Sequence, residues 1–363
     1  MHVRPSTYYA PRAMLAFGLA LVMLALLVAC GGPAAPVTQP TITQAAASTS
    51  TQPSAAATPT ITEATPNATA VATSPAETTA AAQTETAAAD QTGDQIAYIK
   101  EGDIWLFDLT TGGTWQLTTE GENSDPAWSP DGQTLAFTRM YDGNPEIATI
   151  RADGTGLTRV TDNPANDLHP AYARDGTLFY ARHQQGEETE IELIKRDAAG
   201  SETVVYTQPG GLCTPVHLSA ADPTQLALSI NCGRGYNAFA LDLATNTTTD
   251  LSLDYAPTAC VYQATWAHTQ PQLALITAQD CSPQINTGIA TLNLDDAQPA
   301  LKELFTNREI WAIDWSRDDR ALVFQKDSRT DPDVSGLWLL ELNGDSAEPR
   351  QLTREGTSPV WRP

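Results

Sequence analysis

From residue 94 onward, short apolar stretches alternate with polar turns at a steady rhythm. In DPAWSPDGQTLAF (125–137) an aromatic residue closes one strand-like stretch, Ser-Pro-Asp-Gly turns the chain, and a second apolar stretch begins. Pro presets φ for such a turn, and Asp-Gly supplies residues that tolerate positive φ. Weaker copies follow. With Trp128 as the first anchor, Tyr172, His217, Trp266, Trp315 and Trp361 come at intervals of 44, 45, 49, 49 and 46 residues. After every anchor but the last, a turn leads to an apolar triplet: LAF (135–137), LFY (178–180), LAL (226–228), LAL (273–275) and LVF (322–324). A second pair of alternating stretches with Gly, Asn or Asp at its middle turn follows each triplet, which reads as a hairpin.

The pattern predicts an all-β fold of six units with four strands each. Units of about 45 residues built this way are the signature of a β-propeller. The two ends of the repeat complete one another. IAY (96–98) opens the folded region with no anchor before it, and Trp361 has no triplet after it. The N- and C-terminal strands are therefore expected to share one blade and close a six-bladed ring. The aromatic anchors are expected to pack between blades, with His217 taking that place in blade four.

DPAWSPDGQTLAF and WSRDDRALVF resemble the WD40-like repeat of TolB-type propellers. The resemblance covers about 94–363 and implies the same propeller fold. TolB proper has an additional domain before its propeller; here a different kind of segment takes that place.

The segment Gly31–Gly93 is Thr, Ala, Pro, Ser and Gln, with no Lys, Arg or aromatic residue. It cannot bury enough apolar area to offset chain entropy, so 30–93 reads as a disordered tether. The first 29 residues carry Arg4 and Arg12, no acid, and the apolar run AMLAFGLALVMLALLVA (13–29). These are marks of an export signal. LVAC (27–30) resembles the lipobox of bacterial lipoproteins, which implies acylation of Cys30 and a membrane anchor there. An uncleaved membrane anchor is the alternative; both place the rest outside the cytoplasm.

Four further cysteines, Cys213, Cys232, Cys260 and Cys281, suit an oxidising compartment. Each pair brackets the first two strands of one blade, where the start of one strand lies beside the end of the next. Cys213–Cys232 and Cys260–Cys281 bridges are therefore expected. Formal charge is −23, or −25 without the two arginines of the first 29 residues. Such a surface argues against nucleic acid as a partner and favours a soluble monomer.

Catalytic signals are sparse. There is no G-x-S-x-G, no H-E-x-x-H and no phosphate-cradling Gly loop, and no cofactor is expected. The repeat also occurs fused to peptidase domains, but this chain ends inside a blade, so no second domain is expected. KDSRTDPDVSG (326–336) offers Asp327, Asp331 and Asp333 as oxygen ligands for a cation such as Ca²⁺, without the EF-hand spacing. His268, in a blade turn, is expected to be solvated. The longest predicted loops, 139–146, 182–190, 231–237, 277–288 and 325–336, gather on the face where each inner strand starts. That face gives the candidate ligand residues Asp125, Tyr141, Asp167, His169, Tyr236 and Trp311, with Arg234, Glu309 and Arg354 beside them. The expected function is a membrane-tethered extracytoplasmic module that binds an envelope or surface protein or a polysaccharide. The alternatives are a glycan lyase or hydrolase at the channel mouth and an accessory subunit of an envelope complex.

Overall fold

Continuously buried middle strands build the blades of the computed structural model. Thr134–Tyr141 is buried along almost its whole length, as suits a strand flanked on both sheet faces by neighbouring blades. Several outer strands are short and largely exposed, such as Thr114–Gln116 and Thr247–Asp250. The structure describes residues 94–184, 190–208, 213–233, 235–256, 259–279, 281, 287–307, 309–328, 330–342 and 348–363. The expected export signal (1–29), Cys30, the tether and Arg234 lie outside them.

These residues form six four-stranded antiparallel sheets. The inner strands are Thr357–Trp361, Asn123–Trp128, Asn166–Tyr172, Thr214–Ala220, Ala259–Trp266 and Ile310–Trp315 for blades one to six. Each touches the next, and the sixth returns to the first, so the ring is closed. In blade one the C-terminal strand pairs antiparallel with Gln95–Lys100, Ile96 opposite Trp361 and Ala97 opposite Val360. Closure by the two ends is therefore as the repeat implied.

The Ser-Pro-Asp-Gly turn works through its side chains. Ser129 Oγ donates to Asp131 Oδ1 at 2.6 Å, Asp131 accepts the Gln133 N–H, and Gly132 takes φ +65°. In blade five, AHTQP (267–271) lacks these groups, and blade six supplies one instead. Asp319 accepts the N–H groups of His268, Thr269 and Gln270. His268 is half-buried, its Nε2 3.3 Å from the Trp315 carbonyl, rather than solvated.

Two further sequence expectations need correction. Ala220, not His217, holds the anchor place of blade four: it pairs with Leu226 as Trp266 pairs with Leu273 and Trp128 with Leu135. The anchor intervals become 44, 48, 46, 49 and 46 residues. Stretch 139–146 is not a long loop. Strands Thr134–Tyr141 and Asn144–Arg151 run up to a two-residue turn, Asp142-Gly143, with both residues at positive φ.

Both expected disulfides are present, Cys213–Cys232 and Cys260–Cys281, with sequence separations of 19 and 21. Loops of that size are worth about 3 kcal/mol each in the chain-entropy model. Reduction should lower the denaturant midpoint of the folded chain accordingly; an unchanged midpoint would show that the bridges contribute nothing to stability.

Candidate functional site

Every inner strand carries a register shift near its start. The shifts fall at Asp125-Pro126, His169-Pro170, Val216, Tyr262, Trp311 and Ser358-Pro359. Asp125, His169 and Ser358 reach it through positive φ, at 51°, 52° and 49°, each before a proline. A bulge re-aims a side chain out of the alternating pattern. Six bulges at one level place one residue from each blade around the channel: Asp125, His169, Val216, Tyr262, Trp311 and Ser358 all line a cavity of about 170 Å³. This is the mouth on the face that carries the loops between second and third strands.

One wall of the mouth is aromatic. Tyr236 and Tyr262, from blades four and five, have ring centroids 4.1 Å apart, and the Tyr262 hydroxyl donates to the Cys281 carbonyl at 3.1 Å. The Cys260–Cys281 disulfide of blade five thus braces this ledge. Trp311 continues the wall, and its indole N–H has no hydrogen-bond partner among the described residues.

The opposite wall is charged. His169 Nδ1 lies 3.2 Å from Asp125 Oδ1, and His169 Nε2 is 3.2 Å from the Pro215 carbonyl. Burial alone would raise the Asp125 carboxyl, but His169 and the Ser124 hydroxyl facing it bring it down to about 2. Burial works against the His169 charge, yet Asp125 and the Pro215 carbonyl win, and its pKa is raised. His217 lies three residues before the anchor, among the residues facing the channel. Burial, aided by the His169 charge, brings its pKa down to about 4. Its Nε2 faces the Thr265 hydroxyl at 3.1 Å and the Gln263 amide nitrogen at 3.3 Å, as an accepting, neutral imidazole should.

Two neighbouring histidines therefore hold opposite charge states near pH 6, which imidazole NMR of the folded chain should show directly. His217 also sets a stability slope. Its folded pKa of about 4 is below the unfolded value of about 6.5, so between these values the unfolded chain binds the extra proton. The stability His217 contributes is full above the unfolded pKa, is lost as pH falls to about 4, and levels off below. His217→Gln should flatten that part of the stability profile; an unchanged slope would exclude His217 as its source.

The remaining sequence candidates are elsewhere. Tyr141 packs in the core between blades one and two, with the Arg139 and Arg159 guanidiniums over its ring. Asp167 is fully buried and occupied. It takes two bonds from Arg182, at 2.8 and 2.9 Å, and one from the Asn163 amide at 2.7 Å. Arg354 pairs with Asp333 at 3.0 Å on the surface. Asp331 caps the short 3₁₀ turn Pro332–Val334 and accepts the Asp333 N–H. The three aspartates of that loop do not converge, and no group of three or more His, Cys, Asp or Glu side chains suited to a metal occurs among the described residues. Sequence reasoning missed Tyr262, Ser358 and Val216 as channel residues.

The Ser124–Asp125–His169 order does not match acyl-transfer catalysis. That chemistry needs a hydroxyl bonded to the imidazole, with the carboxylate behind it. Here the hydroxyl bonds to the carboxylate, and both imidazole nitrogens face acceptors. A protonated ring in this setting has no lone pair with which to take a proton.

Comparison with known proteins agrees with the geometry. The TolB beta propeller domain family matches residues 83–252. The uncharacterized protein Atu1656 of Agrobacterium fabrum is 30% identical over 111 residues, 28% of this chain and 38% of that protein. The uncharacterized peptidase YuxL of Bacillus subtilis is 30% identical over 128 residues, 32% of this chain and 20% of YuxL. The chain thus spans well under half the length of these relatives. The crystal structure of TolB from Acinetobacter baumannii superposes with a TM-score of 0.59 over 74% of this chain and 67% of that one, at 14% identity. The chain carries a six-bladed β-propeller, of which residues 83–252 match the TolB beta propeller domain family.

Proposed function

We propose that this protein is an extracytoplasmic binding module, tethered to a membrane through Cys30 and a 30–93 stalk, that recognises an envelope or surface protein or a polysaccharide at the loop-bearing mouth of its propeller. The observation that carries the reading is the ring of six bulges, which aims one side chain per blade into the mouth. A rigid scaffold that presents an aromatic ledge beside a charged pair suits recognition. Two disulfides in one chain support an oxidising compartment.

The test is binding of the full chain to a panel of envelope proteins and glycans, beside a variant with His169, Tyr236 and Trp311 changed to Ala. The reading expects a ligand that the wild type holds and the folded variant loses. A ligand held equally by both would move the interface away from the mouth and favour an accessory-subunit role. The peptidase name of YuxL keeps an enzyme reading in view. Its natural actor would be the Asp125–His169 pair, whose bonding speaks against it.

A further inference from the structure

The channel has a second chamber, about 340 Å³, at the end where the inner strands exit into their turns. All six inner strands line it, and blade four differs from the others at the anchor. Five blades place an aromatic ring at the anchor level: Trp361, Trp128, Tyr172, Trp266 and Trp315. These rings pack against the preceding blade; the Trp315 indole, for example, donates to the Thr265 carbonyl of blade five at 3.1 Å. Blade four has Ala220 instead.

The hydrogen bonds across blades confirm the equivalence. The Trp361 N–H donates to Asp314, the residue before the anchor of blade six, at 2.7 Å. The Trp266 N–H donates in the same way to Ser219, the residue before Ala220, at 3.0 Å. The anchor position of blade four therefore carries no aromatic ring, and the Arg174 guanidinium of blade three reaches past it to the Ala267 carbonyl of blade five at 3.1 Å. Ala171 and Ala173 of blade three and Ala220 and Ala221 of blade four line the chamber, and the Trp266 ring residue lies on the other side.

We propose that this chamber is a binding site for a small aromatic molecule that bears an N–H or O–H donor, its ring occupying the place of the missing anchor and its donor directed at Asp314. Cavities of about 150 Å³ already hold a single benzene ring, so a bicyclic ring fits this volume. Asp314 is the one carboxylate side chain among the residues lining the chamber, and it already accepts the Trp361 N–H through Oδ2. Its pKa is raised to about 6, chiefly by burial, which is the setting in which a donor gains most from pairing with it. The site lies at the opposite end of the channel from the mouth and does not depend on the function proposed for that mouth.

Indole is the probe, titrated calorimetrically into the full chain, with 1-methylindole as its counterpart without a donor. The proposal expects saturable indole binding and roughly tenfold weaker binding of 1-methylindole, the scale of one lost hydrogen bond. Ala220→Trp supplies the missing ring. It should keep or raise the melting temperature and reduce indole affinity by roughly tenfold or more. Ala220→Leu, a smaller filling, provides the same reading if the tryptophan variant does not fold. No saturable indole binding to the wild type, or undiminished binding in a folded Ala220 variant, would overturn the site. Loss of binding in Trp311→Ala with full retention in both Ala220 variants would place indole at the other mouth and overturn it equally. Equal affinity for indole and 1-methylindole would remove Asp314 from the assignment.

Discussion

Trp315→Ala should lower the stability of the propeller by about 3–5 kcal/mol, the usual cost of emptying a fully buried aromatic site. Trp315 is 0% exposed and sits in the core shared by blades five and six, beside Ile313, Leu322 and Ala267. Its removal would open a cavity between two blades and leave the Thr265 carbonyl without the indole donor. Each blade touches mainly its two neighbours, so a weakened blade interface loosens the ring as a whole. Denaturant unfolding followed by circular dichroism measures the effect. Trp311→Ala is the control, because Trp311 is only half-buried at the mouth, and it should cost clearly less. Equal losses would show that the anchor rings do not hold the blades together.

Asp167→Ala should cost about 3 kcal/mol, toward the low end for breaking a buried ion pair. Asp167 is fully buried and holds Arg182 through two bonds. Its loss would leave a guanidinium that is only 17% exposed, with Glu202 at 3.2 Å as a remaining acidic partner. That partner is why the lower figure applies. The variant separates two roles for this carboxylate. A positioning role within blade three predicts a lower unfolding midpoint and unchanged ligand affinity in the folded protein. A ligand-binding role predicts the reverse.

The repeat itself was legible because each blade must bury its two middle strands between neighbours, which writes apolar triplets into the sequence at blade spacing. The missing half-blade at each end made ring closure readable as well. The disulfides followed from hairpin geometry. The anchor of blade four was misread because His217 is the larger residue. Counting back from the triplet would have found it: Leu226 is nine residues beyond His217 and six beyond Ala220, whereas the Trp128–Leu135 and Trp266–Leu273 steps are seven. Tyr141 was misplaced because a long hairpin with a two-residue turn reads, by composition alone, like a charged loop.

The ring of channel residues was only half visible. A bulge shifts register by one residue and leaves no mark in the apolar rhythm. The signal that was present is a proline after the bulged residue in three blades: Asp125-Pro126, His169-Pro170 and Ser358-Pro359. Val216 and Tyr262 carry no such mark, and Trp311 stands out by its aromatic ring rather than by its place in the strand. The opposite protonation of His169 and His217 could not be read from sequence at all. It depends on which histidine faces Asp125 and which faces Gln263 and Thr265, residues brought together from different blades.

The most direct test of recognition at the loop-bearing mouth is amide hydrogen exchange, measured on the full chain alone and on the chain bound to the ligand found in the binding panel. Protection should concentrate in the segments that carry the six bulges and the Tyr236–Tyr262 ledge, with outer strands such as Thr114–Gln116 and Thr247–Asp250 unchanged. Protection confined to the outer strands, with the mouth exchanging as in the free protein, would contradict it.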